Sequence, residues 1–287
     1  MTPKIRLAIQ KSGRLQEASL KLLRECGIRI ENVREGQLMV PTQNFPMDLL
    51  FLRNADIPRY LEDGVADLGI IGQNLVYEEG NKLPVLKKLG FSKCRLSLAV
   101  PNDLDFTHRS WFEGKKIATS YPNSVRQYLD QHKLKAEIHY ISGSVEIAPR
   151  IGLADAICDI VSTGSTLFQN NLKEVEVMLK SEACLVGSPL MRDELKPLLD
   201  KFLFRINASQ SSKNNKYVLL NAPNHQIGEI TKILPGMKSP TVIPLVAEGW
   251  SSVHSVINEN DFWEVIDQLK AAGAEGILIV PIEKMIP

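Results

Sequence analysis

Apolar positions along the first two hundred residues switch between two periods. An apolar run at residues 5–9 predicts a strand. It breaks at a polar turn containing Gly13, after which Leu15, Ala18, Leu22, Leu23 and Cys26 recur at helical spacing until Gly27 stops the pattern. Further strands are expected at residues 38–40, 47–52, 68–71, 95–100 and 116–119. The last is followed by a turn at 120–123 and a helix reaching about His132. Strands alternating with helices predict α/β architecture with parallel sheets.

A faint internal repeat runs through this pattern. Asp63-Gly64-Val65-Ala66-Asp67-Leu68-Gly69-Ile70 resembles Ile151-Gly152-Leu153-Ala154-Asp155-Ala156-Ile157-Cys158. Each copy follows a predicted helix (57–62 and 145–150), turns at a glycine suited to a left-handed helix end, and feeds an apolar strand. The repeat predicts two similar α/β lobes with facing strand ends, the edge at which open α/β sheets bind ligands.

The last eighty residues follow a different order. Strand 216–221, helix 226–234, strands 241–246 and 252–257, helix 261–272 closed by Gly273, and strand 276–281 make β-α-β-β-α-β, the ferredoxin-like pattern. The polar run at 207–215, rich in Ser and Asn, reads as the linker before this domain.

The totals narrow the classes of function. The chain has 287 residues, enough for two or three domains, and is 44% hydrophobic and 23% charged. A net charge of +1 makes no electrostatic case for nucleic acid or an anionic membrane. No apolar stretch suits a membrane span or a signal peptide, which points to a cytoplasmic protein. Cys26, Cys94, Cys158 and Cys184 are scattered and read as free thiols rather than a zinc site or disulfide framework.

One segment concentrates candidate chemistry. An apolar strand carries Asp155 and Asp159, then breaks into Ser162-Thr163-Gly164-Ser165-Thr166. Phosphate binding needs converging backbone N–H groups and hydroxyl donors without steric bulk, and such a turn supplies them. A carboxylate just before it suits ribose hydroxyls. Taken alone, the turn fits a simple helix cap equally well.

The same residues resemble a known family. Glu146, Gly152, Ala154, Ile157, Asp159 and 163–167 fall at the spacing of the signature of ATP phosphoribosyltransferases. So, in order, do Gln10-Lys11-Ser12-Gly13-Arg14-Leu15, Asp67-Leu68-Gly69-Ile70-Ile71-Gly72, Cys94-Arg95-Leu96-Ser97-Leu98, Ile117-Ala118-Thr119-Ser120-Tyr121-Pro122 and Pro281-Ile282-Glu283-Lys284-Met285. The resemblance covers essentially the whole chain. It implies two periplasmic-binding-protein-like lobes around a cleft (1–95 with 180–207, and 96–179), followed by a ferredoxin-like regulatory domain (208–287).

It also implies transfer of a phosphoribosyl group from phosphoribosyl pyrophosphate to ATP, with feedback inhibition by histidine. By the same resemblance Asp155, Asp159 and the 162–166 turn would bind phosphoribosyl pyrophosphate. Lys11, Gly13, Arg14, Asp67, Gly69 and Tyr121 would meet ATP or phosphates, and Glu146 is a further candidate. Mg2+ would be held largely by substrate phosphates, and no nucleophile or general base is assigned. A homo-oligomer, dimeric or hexameric, is expected, without a separate regulatory subunit. Two other readings use the same features: a solute-binding or sensor module, and a phosphoribosyltransferase for a different nitrogenous acceptor.

Overall fold

The computed structural model describes residues 3–31, 36–234 and 239–286. Two compact units divide the chain. One comprises the chain up to Arg24 with Ile28–Leu199, the other Glu25–Gly27 with Asp200–Pro287.

The first unit contains two lobes. Lobe I opens with β1 (Ile5–Gln10) and α1 (Arg14–Glu25), then runs through β2 (Met39–Pro41), β3 (Met47–Leu52), α2 (Ile57–Glu62), β4 (Leu68–Gly72), α3 (Gln73–Glu78) and β5 (Val85–Lys88). The chain crosses to lobe II for β6 (Cys94–Pro101), β7 (Lys116–Thr119), α4 (Pro122–Gln131), β8 (Glu137–Tyr140), β9 (Ala156–Val161), α5 (Ser165–Gln169) and β10 (Leu172–Ser181). It returns with β11 (Ala183–Gly187), which completes a six-stranded sheet ordered β2-β3-β1-β4-β11-β5. Lobe II is a five-stranded sheet ordered β10-β6-β9-β7-β8.

The central strands pair in parallel: β1 with β3 and β4, and β7 with β8 and β9. Being covered on both faces, they read as continuous apolar runs rather than alternating ones. Ile5, Leu7, Ala8 and Ile9 are all fully buried, as are Ala156, Ile157 and Cys158.

The internal repeat has a structural meaning. Gly64 (φ +65°) and Gly152 (φ +74°) both take the left-handed conformation at the turn before their strands. Three residues later the two aspartates make the same contacts. Asp67 donates its N–H to the Arg6 carbonyl (2.9 Å) and accepts the Arg6 N–H on Oδ2 (2.7 Å). Asp155 donates its N–H to the Lys116 carbonyl (2.9 Å) and accepts the Lys116 N–H on Oδ2 (2.8 Å). Each carboxylate pins the start of its strand to the start of the parallel neighbour. The second helix of the repeat is shorter than its pattern predicts: a 3-10 turn at Val145–Ile147, entered from left-handed Ser144.

The lobes are joined at more than the two chain crossings. On the crossing between β10 and β11, Ser181 Oγ donates to Asn74 Oδ1 (2.9 Å) and accepts the Asn74 N–H (3.0 Å) at the start of α3. Glu78, at the other end of α3 and buried, reaches α4 of lobe II. Its carboxylate accepts the Asn123 N–H (2.9 Å), the Ser124 N–H (2.8 Å) and the Ser124 hydroxyl (2.6 Å). A side chain of lobe I thereby caps the first turn of a lobe II helix, where a negative charge is favoured.

The expected linker at 207–215 is not a linker: α6 (Lys196–Lys213) runs through it. Ser and Asn lower helix propensity only slightly, and here packing outweighs it. Ser209 and Ser212 are buried, and Ser212 Oγ donates to the carbonyls of Ser209 and Glu283, each at 2.9 Å.

The second unit continues with β12 (Asn215–Pro223), α7 (Ile227–Ile233), β13 (Thr241–Pro244), β14 (Trp250–Asn258), α8 (Glu259–Ala271) and β15 (Glu275–Pro281). The sheet order β13-β14-β12-β15, all antiparallel, is the ferredoxin-like topology. Its core joins Val218, Leu220 and Val253 of the sheet to Ile230, Phe262 and Leu269 of the helices. On the sheet, His254 bridges Tyr217 Oη (2.9 Å from Nδ1) and Ser252 Oγ (3.0 Å from Nε2). Among the described residues no helix is long and apolar enough to cross a membrane.

Candidate active site

The carboxyl ends of the parallel strands carry the candidate chemistry in both lobes. In lobe I, β1 ends at Gln10 and the chain bends through Lys11, Ser12 and Gly13 into α1, which starts at Arg14. The Lys11 N–H donates to the Leu52 carbonyl (2.8 Å), which seats this bend beside the end of β3. Arg53 follows directly there, so Lys11, Arg14 and Arg53 are three exposed cations at one sheet edge. Among the described residues none of the three forms an ion pair with a carboxylate.

In lobe II, β9 ends at Val161 and the chain turns through Ser162, Thr163 and Gly164 into α5. Gly164 has φ +86°, yet a Cβ built there meets nothing within 4 Å. The glycine is required by the backbone conformation, not by lack of room. Gly164, at the N-cap of α5, has no side chain with which to cap it. Thr163 Oγ1 and Ser165 Oγ bond each other (3.0 Å), while Ser162 and Thr166 hydroxyls have no protein partner among the described residues. Thr163 Oγ1 also accepts the Ser165 N–H, the first of α5, at 3.4 Å, so the turn serves in part as a cap while the Ser162 and Thr166 hydroxyls stay available to a ligand.

Asp159 stands two residues before the end of β9, paired opposite Ser97 of β6. Burial raises its carboxyl above the ordinary range. The Ile160 N–H (2.8 Å) opposes that shift, and the charge of Glu146 adds to it. Glu146 is thus near Asp159, although 13 residues earlier. Tyr121 lies at the end of the neighbouring β7, just before α4. Its hydroxyl is pushed well up, first by burial and then by the charge of Asp159. Asp159, Glu146, Tyr121 and the 162–166 turn accordingly share one end of lobe II.

Three expected site residues lie elsewhere. Asp155 sits at the amino end of β9, four residues from Asp159 along an extended strand. At roughly 3.3 Å per residue that is about 13 Å away. It borders a separate depression of about 910 Å3 with Lys116, Trp111 and Arg150. Asp67 is the equivalent strand-end pin in lobe I, 3% exposed, and also lies 3.5 Å from Arg6 Nε. Gly69 faces α2: a Cβ there would come within 3.0 Å of Ile57 Cγ2 and Leu61 Cδ1. Its missing side chain admits a helix, not a ligand.

A pocket of about 450 Å3 connects the two lobes. Gln73, at the end of β4, and Ser162, at the end of β9, both line it, together with Lys88, Lys93, Arg95 and Lys180. The residues just past β4 and β9 therefore border common space, whose lining carries four cations, Lys88, Lys93, Arg95 and Lys180, and one carboxylate, Glu182. The sequence reading gave no site role to Arg53, to Glu78 or to Arg95, which lies within a matched motif; the latter two act through partners more than forty residues away, which no local signal reveals.

Two α/β lobes, doubly connected and presenting their strand ends to one cleft, define the periplasmic-binding-protein-like class. A histidine kinase sensor domain with similarity to periplasmic binding proteins shares the fold, at a TM-score of 0.50 and 11% identity over 72% of this chain and 90% of that one. Within this class the sequence model for ATP phosphoribosyltransferase (HisG) matches residues 53–208, and that for the HisG C-terminal domain matches residues 212–284. The ATP phosphoribosyltransferase of Cytophaga hutchinsonii is 55% identical over 286 residues, covering 100% of both chains. The ATP phosphoribosyl transferase (HisG:HisZ) complex from Thermotoga maritima matches at a TM-score of 0.61 and 30% identity, over 70% of this chain and 95% of that one. The chain belongs to the ATP phosphoribosyltransferase family, in the long form that carries its own C-terminal domain. These are pentosyltransferases of histidine biosynthesis.

Proposed function

We propose that the protein joins N1 of the ATP adenine to C1 of phosphoribosyl pyrophosphate, releasing pyrophosphate, as the first step of histidine biosynthesis in the cytoplasm. The C1–O bond breaks with its electron pair leaving on pyrophosphate, and the N1 lone pair forms the new C1–N bond. That lone pair is free on neutral adenine, so no base is needed to generate the nucleophile. The protein's tasks are to hold two anions in line and to balance charge.

Each residue set has a role in this reading. The 162–166 turn receives the 5′-phosphate on backbone N–H groups and the Ser162 and Thr166 hydroxyls. Asp159 accepts hydrogen bonds from ribose hydroxyls, and its negative charge favours the cationic sugar of the transition state. Lys11 and Arg14, with Arg53 beside them, meet phosphates from lobe I, and Tyr121 offers an aromatic face to adenine. The supporting observation is that Ser162, which opens the hydroxyl-rich turn, and Gln73 of lobe I border the same pocket, into which four cationic side chains are gathered.

Among the described residues no three His, Cys, Asp or Glu side chains converge on a metal position. A hard cation ligated mainly by phosphate oxygens fits that donor set, with Asp159 and Glu146 as the nearby carboxylates. Bound Mg2+ would supply charge neutralisation on the departing pyrophosphate. The C-terminal domain is assigned feedback inhibition by histidine. Such inhibition requires histidine to bind more tightly to a less active arrangement. A dimer or hexamer of this chain is the assembly in this reading.

The test is pyrophosphate release from phosphoribosyl pyrophosphate and Mg2+. Release that requires ATP and is suppressed by histidine is expected. Release with free bases in place of ATP would reassign the acceptor. Ligand binding without turnover would make the protein a binding module, and histidine-insensitive release would remove the regulatory role.

A further inference from the structure

Arg95 opens β6, and its side chain is held on the same face of the sheet as Ser97. Its Nε and Nη2 donate to the two carboxylate oxygens of Glu174 on β10, each at 2.5 Å. Ser97 Oγ donates to the same carboxylate (2.7 Å). The Glu174 carboxylate raises the guanidinium's affinity for its proton, and the guanidinium holds the Glu174 carboxyl below its ordinary range, mainly through this hydrogen-bonded fork. Two parallel bonds fix the plane of the guanidinium as one bond cannot.

The remaining nitrogen, Nη1, donates to the carbonyl of Ser162 (3.1 Å). Ser162 is the first residue after β9 and opens the hydroxyl-rich turn. The other bonds of the 162–166 turn run within residues 162–171: Thr163 to Ser165, Phe168 to Gly164, and Asn170 to Thr166. Among the described residues Arg95 supplies the bond that ties the turn to the rest of the sheet. The tie begins at Glu174, passes through Arg95, 79 residues earlier in sequence, and ends on the backbone beside the free Ser162 hydroxyl.

We infer that Arg95 is a positioning residue, which, oriented by Glu174 and Ser97, sets the Ser162 end of the turn so that its donors converge on the phosphate of phosphoribosyl pyrophosphate. This rests on the proposed role of the turn. It assigns to Arg95 a function that needs geometry rather than charge alone. Lysine cannot reproduce it, because an ammonium cannot bond Glu174 through a planar fork while donating in a third fixed direction.

The experiment compares Arg95→Lys, Glu174→Gln and the double variant, measuring KM for each substrate, kcat and thermal unfolding in the full-length protein. Arg95→Lys is expected to raise KM for phosphoribosyl pyrophosphate roughly tenfold and leave KM for ATP within about twofold, the scale of one charge-assisted hydrogen bond. Glu174→Gln, which keeps Arg95 but frees it, is expected to move the same constant in the same direction. The double variant should be no worse than the poorer single one, because both changes release the same turn. An effect of Arg95→Lys with a silent Glu174→Gln overturns the inference in favour of direct charge contact. Equal changes in both KM values, tracking lost stability, overturn it in favour of general destabilisation. A wild-type protein that shows no turnover and no binding of phosphoribosyl pyrophosphate overturns the reading of the turn itself, and this inference with it.

Discussion

Burial and the charge of Glu146 together raise the Asp159 carboxyl, so in the free protein its ionisation works against folding. The group binds its proton more tightly folded than unfolded. Stability relative to a neutral residue therefore falls as pH rises from the ordinary aspartate range through the raised folded value, and is flat above it. Asp159→Asn is expected to raise the melting temperature by roughly 2 °C at pH 8, an advantage that shrinks on acidification, since a kcal/mol moves a domain of this size by about 2–4 °C. The same change should lower turnover by on the order of 100-fold through loss of transition-state charge balance. Paired melting and kinetic measurements at pH 5 and pH 8 check both halves; a variant that melts lower at pH 8, or turns over normally, removes Asp159 from this role. At this scale the sequence was partly legible. An apolar strand that breaks into hydroxyl-bearing residues marked Asp159 and the 162–166 turn. Asp155 looked equivalent because residue type does not reveal which end of a strand will face the cleft. Arg95 and Glu78 were invisible because their partners are set by the fold.

Among the elements, the repeated turn and strand is the most informative. Gly64 to Asp67 and Gly152 to Asp155 each end a helical segment and clip a parallel strand to its neighbour. The similarity read from the sequence is therefore one of folding, with both carboxylates engaged by strand N–H groups. Asp155→Ala should cost about 1 kcal/mol and leave both KM values within about twofold. Asp67→Ala, which strips a buried carboxylate beside Arg6, should cost more, about 2 kcal/mol. Denaturant titration with parallel kinetics checks the order. A KM for phosphoribosyl pyrophosphate raised tenfold by Asp155→Ala would return that residue to the site. The buried strands β1, β3, β4, β6, β7 and β9 and the amphipathic helices α1, α4 and α8 were legible from period alone, because burial imposes it, whereas β5, β8, β10, β11 and the long α6 were not read. The 3-10 turn at Val145–Ile147 and the helix through 207–213 were not, because packing decided each: Ser209 and Ser212 are buried in a place that composition alone assigns to a linker.

For the molecule as a whole, the family and the fold class were readable from ordered motifs spread over the full length, while the relation between the lobes was not. That relation depends on Glu78, whose two carboxylate oxygens close onto the first turn of α4. Two chain crossings alone permit the lobes to swing about them; a third, buried attachment on α3 opposes the swing, since opening would strand a desolvated carboxylate and the N–H groups it satisfies. Solute receptors of similar build trap ligand by closing over it, and a slow rearrangement follows encounter. Here the Glu78 attachment is expected to hold the cleft near its working shape beforehand. Mixing experiments should show phosphoribosyl pyrophosphate entering in one kinetic phase, with an observed rate rising linearly with concentration. Glu78→Ala should add a second phase that levels off, the mark of a receptor that must now find its shape after capture. A saturating second phase already present in the unaltered protein would show that the attachment yields during binding. Ready-made shape exchanges grip for speed: a cleft that need not close after capture holds its ligand less tightly and is expected to admit it in a single step.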